Sequence, residues 1–196
     1  MSTDDVLTAH TWRALCAMRC TQLAIPTDCA EMTTLSRACN TRRRLDPPLA
    51  PGYCGNAVCN VQVQLSVREL LSSSAGAIAS KLRAALDQQT NDAIEARGAW
   101  LQQVQARGCT ARQAFDAQAL TFIVSSWDFS WEGACFGAGA GSPPAAPIAF
   151  DHGAIVPIVA VFTRRPKASD GLNVYASGPR ESLVGFAQEM EMERGN

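Results

Sequence analysis

The fifteen residues "RRRLDPPLAPGYCGN", Arg42 to Asn56, bring together dense positive charge and a stiff backbone. Three consecutive arginines offer forked donors that suit a carboxylate, a phosphate or a set of carbonyl oxygens. The prolines fix φ and the glycines allow a tight return, so the stretch reads as a rigid loop. Scaffolding through its arginines is the first reading of this loop, and contact with an anion is the second. Other candidate chemistry is sparse. His10 falls mid-helix beside Trp12 and reads as structural, whereas His152, in the turn Asp151-His152-Gly153, is the one loop histidine. Eight cysteines form no C-x-x-C pair, and with only two histidines they make a poor zinc set, so no metal is expected. "GAGAG", residues 137–141, is followed by prolines rather than a helix and is not a dinucleotide fingerprint.

The whole chain narrows the partners. Its 196 residues suit one domain spanning 1–196, and two complete domains would be cramped. With 17 basic and 18 acidic residues the formal charge is −1, which supplies no broad face for a nucleic acid. Only 18% of residues are charged, below the roughly 25% of ordinary soluble domains, which points to a face covered by another subunit or domain. No apolar run approaches a membrane span, and "MSTDDVLTAH" has no basic n-region, so no membrane and no secretion are expected. A cytoplasmic protein with reduced, mostly buried thiols follows as the expectation.

These residues need elements to position them. "STDDVLTAHTWRALCAMRC" reads as a helix capped by Ser2 or Thr3, with Asp4 and Asp5 at its positive end and Val6, Ala9, Ala14 and Leu15 as an apolar stripe. "MTTLSRACNT", Met32 to Thr41, is a strand leading into the arginine loop. Beyond the loop, Val61, Val63 and Leu65 alternate with Asn60, Gln62 and Gln64, the period of a half-buried strand. Gly76 to Arg107 is helical in pattern, with "DQQTND" either a bend or a continuation. "ALTFIVSSW" is an apolar strand. "AIVPIVAVFTRR" and "LNVYAS" are a strand pair joined by "PKASDG", and "PRESLVGFAQEMEM" is a closing helix. The fold class is α/β (α+β): one mixed-sheet domain, flanked by helices, with a largely antiparallel sheet.

Four segments together resemble the BAHD acyl-CoA-dependent acyltransferases. "STDDVLTAHTWRA" resembles the family's S-T-N-D-x-L-x-A-x-x-W, and "RRRLDPPLAPGYCGN" its R-x-R-L-x-P-P-L-P-x-x-Y-x-G-N. "VSSW" resembles its T-S-W, and "ACFGAGAGSP" sits where the family carries D-F-G-W-G-x-P. Their order across nearly the whole sequence is similar to the C-terminal half of such an enzyme, one half of the chloramphenicol-acetyltransferase-like two-domain fold. The family's catalytic H-x-x-x-D belongs to the other half and is not found here; neither His10 nor His152 begins such a motif. Met1 directly before "STDD" implies a truncation or a genuine half-protein.

The resemblance implies roles. Ser125 would donate its hydroxyl to the oxyanion of a tetrahedral intermediate. Trp127 and Phe136 would line the acceptor pocket, or Trp127 is simply a buried indole at a strand end; His152 would be the fallback base. Lys81, Arg83 and Asn56 would meet coenzyme A, unless the two cations are a solvated helix face. Arg42 corresponds to the arginine whose family partner is the aspartate of D-F-G-W-G, replaced here by Cys135. It must therefore face solvent, find another acid such as Asp46, or hold an anion. A second register places Asp128 to Glu132, "DFSWE", on the motif at the expense of its glycines. Arg44, Cys135, Gly137 and Gly139 are structural in this reading. The function implied is acyl transfer from acyl-CoA, as co-substrate with no bound cofactor, to a hydroxyl or amine of a small metabolite. Partners would be that metabolite and a separate N-terminal half or a second copy. The alternatives are a repurposed pocket protein that binds or cyclises a metabolite, and an inactive fragment.

Overall fold

The computed structural model describes residues 1–109, 120–127, 159–164, 172–177, 183–188 and 190. In chain order the elements are α1 (Thr3–Leu23), β1 (Met32–Asn40), β2 (Val58–Ser66), α2 (Val67–Ser72), α3 (Ala75–Asp87), α4 (Asn91–Ala106), β3 (Leu120–Trp127), β4 (Val159–Arg164) and β5 (Leu172–Ser177). Residues 183–188 are helical. The strands form one sheet in the order β2-β1-β3-β4-β5.

The sheet is mixed, and the expectation of a largely antiparallel one is corrected. β1 pairs with β3 and β3 with β4 in parallel, while β2 and β5 close the two edges antiparallel. The reason lies in the connections. The arginine loop, residues 41–57, turns β1 back into β2 beside it, but the longer α2–α3–α4 excursion carries the chain across before β3 begins. Strand alternation names residues but not neighbours, so this order is invisible to local pattern.

Local readings account for the rest. Ser2 caps α1 through a capping box in which its hydroxyl accepts from Asp5 N and the Asp5 carboxylate accepts from Ser2 N. α1 ends at Ala24, a non-glycine residue in the left-handed region at φ 53°. The polar "DQQTND" stretch is a break: α3 stops at Asp87, and Thr90 caps α4 by accepting from Ala93 N. In β2, Val61 and Leu65 are buried while Asn60, Gln62 and Gln64 are exposed, so the period-two pattern sets its face.

The core lies between α1, α2 and α3 and one face of the sheet. Trp12, Leu15, Leu35, Val67, Leu70, Ile78, Leu82, Leu120, Phe122, Val124 and Phe162 form it. Trp12 Nε1 donates to Thr33 Oγ1 at 3.0 Å, and Thr33 Oγ1 donates to Leu120 O at 3.0 Å. That relay ties helix, β1 and β3 at the register pair Thr33–Leu120. Phe186 joins this core, and Gly185 leaves room for Met18: an added Cβ would sit 3.0 Å from Met18 Cγ. Among the described residues no helix is long and apolar enough to cross a membrane, and no group of residues could hold a metal.

Candidate active site

Because β1, β3 and β4 are parallel, their carboxyl ends share one edge of the sheet, the edge where α/β sheets gather ligands. The arginine loop leaves β1 there, and β3 ends there in Ser125-Ser126-Trp127. Alternation puts Phe122 and Val124 into the core and turns Ile123, Ser125 and Trp127 to the opposite face, where all three are half-buried. Two residues apart on that face, Trp127 Nε1 donates to Ser125 Oγ at 3.0 Å. A hydroxyl has one proton and two lone pairs. The indole takes a lone pair, so the Ser125 proton is left to donate elsewhere. This is the arrangement of an oriented hydrogen-bond donor at a strand end.

The arginine loop is held by its own carbonyls. Arg42 donates through Nη2 to Gly55 O at 2.9 Å, through Nε to Tyr53 O at 3.3 Å and through Nη1 to Asn40 Oδ1 at 3.3 Å. Its guanidinium lies 6.0 Å from the centre of the Tyr53 ring, and Tyr53 folds over Gly55 where any side chain would collide with it. Leu49 N donates to Arg42 O at 2.9 Å, and the Asp46–Pro47 peptide is cis. Asp46, the acid suggested for Arg42, is not among these partners: the Arg42 acceptors are carbonyl oxygens of its own loop and of Asn40, and the side chain stays partly exposed. Arg43 is exposed. Arg44 Nη1 reaches across to Gln89 O at 3.3 Å, and Asn91 Oδ1 accepts from Asp46 N at 2.9 Å, so the loop is pinned to the α3–α4 turn. Asn56 is exposed, with Oδ1 accepting from Val58 N at 3.2 Å.

Behind this edge lies a cluster that the sequence patterns did not reveal. The Asp5 side chain is 0% exposed. Arg37 Nη1 donates to its Oδ1 at 2.8 Å, and Arg83 donates to Oδ2 through Nε at 2.9 Å and Nη2 at 2.6 Å. Arg37 also pairs with Asp4, and Arg83 Nη2 donates to Ser2 Oγ at 3.0 Å. Burial alone would push the Asp5 carboxyl up; hydrogen bonds from Arg37, the Ser2 backbone and Arg83 outweigh it and hold the group well below the usual carboxylate range. The one available signal was Arg37 itself, which shares the inward parity of Thr33, Leu35 and Cys39 on β1.

Lys81 and Arg83, expected together at coenzyme A, are not brought together. Lys81 Nζ pairs with Glu69 Oε1 at 3.1 Å on the surface, whereas the Arg83 donors are committed to Asp5 and Ser2. Cys135, Phe136, Gly137, Gly139 and His152, with the rival register at Asp128 to Glu132, lie outside the described residues.

A mixed five-stranded sheet backed by helices, with an oriented hydroxyl at its parallel edge, defines one half of the chloramphenicol-acetyltransferase-like architecture. Residues 2–193 match the model of the Transferase family, and the chain belongs to that family, the BAHD acyltransferases. It is 30% identical to tryptamine benzoyltransferase 1 of Oryza sativa subsp. japonica over 175 residues, which are 87% of this chain and 36% of that protein. It is 37% identical to the O-acyltransferase pigD of Monascus ruber over 87 residues, 44% of this chain and 18% of that one. The solved structure of F. sporotrichioides TRI101 complexed with coenzyme A and T-2 superposes with a TM-score of 0.73 at 22% identity, covering 99% of this chain and 43% of that one. The chain thus spans less than half the length of the proteins it matches.

Proposed function

We propose that this chain is the C-terminal half of an acyl-CoA-dependent acyltransferase of secondary metabolism, which passes an acyl group to a hydroxyl or amine of a small metabolite. The observation that carries the reading is the Ser125–Trp127 hydrogen bond at the parallel edge of the sheet. When an acceptor attacks a thioester carbonyl, negative charge gathers on the carbonyl oxygen. Ser125, its lone pair occupied by the indole, donates to that oxygen, and Trp127 also lines the acceptor side. Lys81 and Asn56 remain the candidate contacts for coenzyme A. TRI101 is described as bound to coenzyme A and a toxin, and relatives bear the names of both amine and hydroxyl acyltransferases, which supports the class and leaves the acceptor atom open.

The base that takes the acceptor proton comes from a second half that bears H-x-x-x-D, because the chain has no such motif. General-base catalysis contributes typically ~10²–10⁴-fold and an oxyanion donor ~10²–10³-fold. Alone, the chain should therefore release coenzyme A from acetyl-CoA no faster than its Ser125→Ala variant, with a paired alcohol and amine offered as acceptors. Mixed with an H-x-x-x-D half from a relative, the wild type should turn over and Ser125→Ala should lag by about a hundredfold. If the lone chain turns over and His152→Ala abolishes it, the base is His152 and the two-half reading fails. Binding of metabolites without any acylation, in the mixed sample too, would favour the pocket-protein alternative, which the missing base motif motivates.

A further inference from the structure

We propose that Arg44 and Arg97 form a binding site for a phosphate group where the arginine loop meets the α3–α4 turn. Both guanidiniums converge on Gln89. Arg44 Nη1 donates to its backbone oxygen at 3.3 Å, and Arg97 Nη2 donates to its side-chain Oε1 at 3.1 Å. Gln89 Oε1 is already shared with the Cys59 thiol at 3.8 Å, so the glutamine has little acceptor capacity left. Arg97 Nη1 is buried and meets no acceptor at all. Arg37, Lys81 and Arg83 are ion-paired to acids, whereas among the described residues neither Arg44 nor Arg97 has such a partner.

Two like charges on one glutamine, one with an orphaned donor, need a counter-charge more than they need a water. A water would satisfy a single N–H and bring no counter-charge to the two cations gathered on Gln89. A tetrahedral oxyanion takes donors from both sides, which suits paired guanidiniums better than a planar carboxylate, which one fork satisfies. Thr90 opens α4 at the same place, so the positive end of that helix adds to the field. A rotation of the Arg97 side chain, which has no ion pair to break, would bring Nη1 and Nη2 onto one phosphate. The phosphate is either free in solution or carried by the co-substrate of the reaction proposed above, and only the second source rests on that reading.

The test is thermal melting and ³¹P NMR titration of the chain with inorganic phosphate, against potassium chloride at equal ionic strength. Phosphate should raise the wild-type melting temperature by a few degrees beyond chloride and broaden its ³¹P line. Arg97→Gln and Arg44→Gln should each lose most of that shift while Arg43→Ala keeps it, and melts in chloride alone confirm that each variant folds. Coenzyme A, dephospho-coenzyme A and pantetheine form the second arm. If the co-substrate is the source, coenzyme A competes with phosphate and pantetheine does not. Phosphate binding without coenzyme A competition upholds the site, assigns it to free phosphate and leaves the acyl-CoA reading to its own test. Coenzyme A binding that is equal in wild type and Arg97→Gln, with no phosphate effect beyond chloride, overturns the site and leaves the acyl-CoA reading standing. A phosphate shift that persists undiminished in both glutamine variants also overturns it.

Discussion

Two arginine clusters in this fold are built on opposite terms. In one, Arg37 and Arg83 enclose the buried Asp5 carboxylate, and the capping hydroxyl and N–H of Ser2 complete the set. In the other, Arg42, Arg44 and Arg97 spend their donors on carbonyl and amide oxygens of a mostly exposed loop and turn. The first is closed: each charge has its counterpart, and it fastens α1, β1 and α3 at one point. The second is open, with positive charge left over. Charge closed on itself serves the fold, and charge left unneutralised at a strand edge is available to a ligand.

Breaking the closed cluster should cost most. Asp5→Ala leaves two guanidiniums without their shared carboxylate, one of them buried, and should destabilise the chain by about 3–5 kcal/mol in a denaturant melt. Acid should reach the same point by titration. The Asp5 carboxyl is depressed in the folded chain, so its contribution is complete above the unfolded value near 4 and is lost as pH falls below that value toward the folded one. Stability should therefore drop steeply below about pH 4, and Asp5→Asn, though weaker throughout, should show a flatter slope there. Equal slopes would remove Asp5 from the account.

The open cluster should yield less. Arg42→Ala loses bonds to Gly55 O, Tyr53 O and Asn40 Oδ1 in a partly exposed loop and should cost about 1–2 kcal/mol. Arg43→Ala, at an exposed position, should stay within about 0.5 kcal/mol of wild type. Equal effects at 42 and 43 would mean that the loop does not depend on its arginine. A further small effect tests the end of α1 and has the opposite sign. Ala24 adopts φ 53° and is exposed, so Ala24→Gly should stabilise by about 1 kcal/mol.

What was legible in the sequence follows the range of each interaction. The α1 cap and the Val61/Val63/Leu65 face are set by neighbours a few residues away; the face is found as read, and of the two cap candidates Ser2 takes the role while Thr3 opens the helix. Whether "DQQTND" bends was left open by its composition, and the Thr90 cap decided it. The parallel pairing of β1 with β3 joins residues far apart in the chain, which no local period records. The same holds for Asp5 with Arg83 and for Arg44 and Arg97 on Gln89. Asp5 reads locally as a helix-dipole acid, and nothing nearby announces two arginines from other elements. Ser125 and Trp127 were found through resemblance; the hydrogen bond between them needed coordinates.

The pairing of β1 with β2 carries one more consequence, for oxidation. Thr41 N donates to Ala57 O and Val67 N donates to Glu31 O, on either side of the ladder that sets Cys39 opposite Cys59. Those bonds mark every second pair as hydrogen-bonded, and Cys39–Cys59 falls on that set. In such pairs the Cβ atoms stand about 5.5 Å apart, whereas a disulfide requires roughly 3.5–4.5 Å. The two thiols are close enough to interact, but their strand positions are set wider apart than a relaxed disulfide spans. An oxidant such as glutathione disulfide would have to pull the strand edge out of shape to link them, so this edge of the sheet should keep its sulfurs reduced where a pair one residue along would have closed.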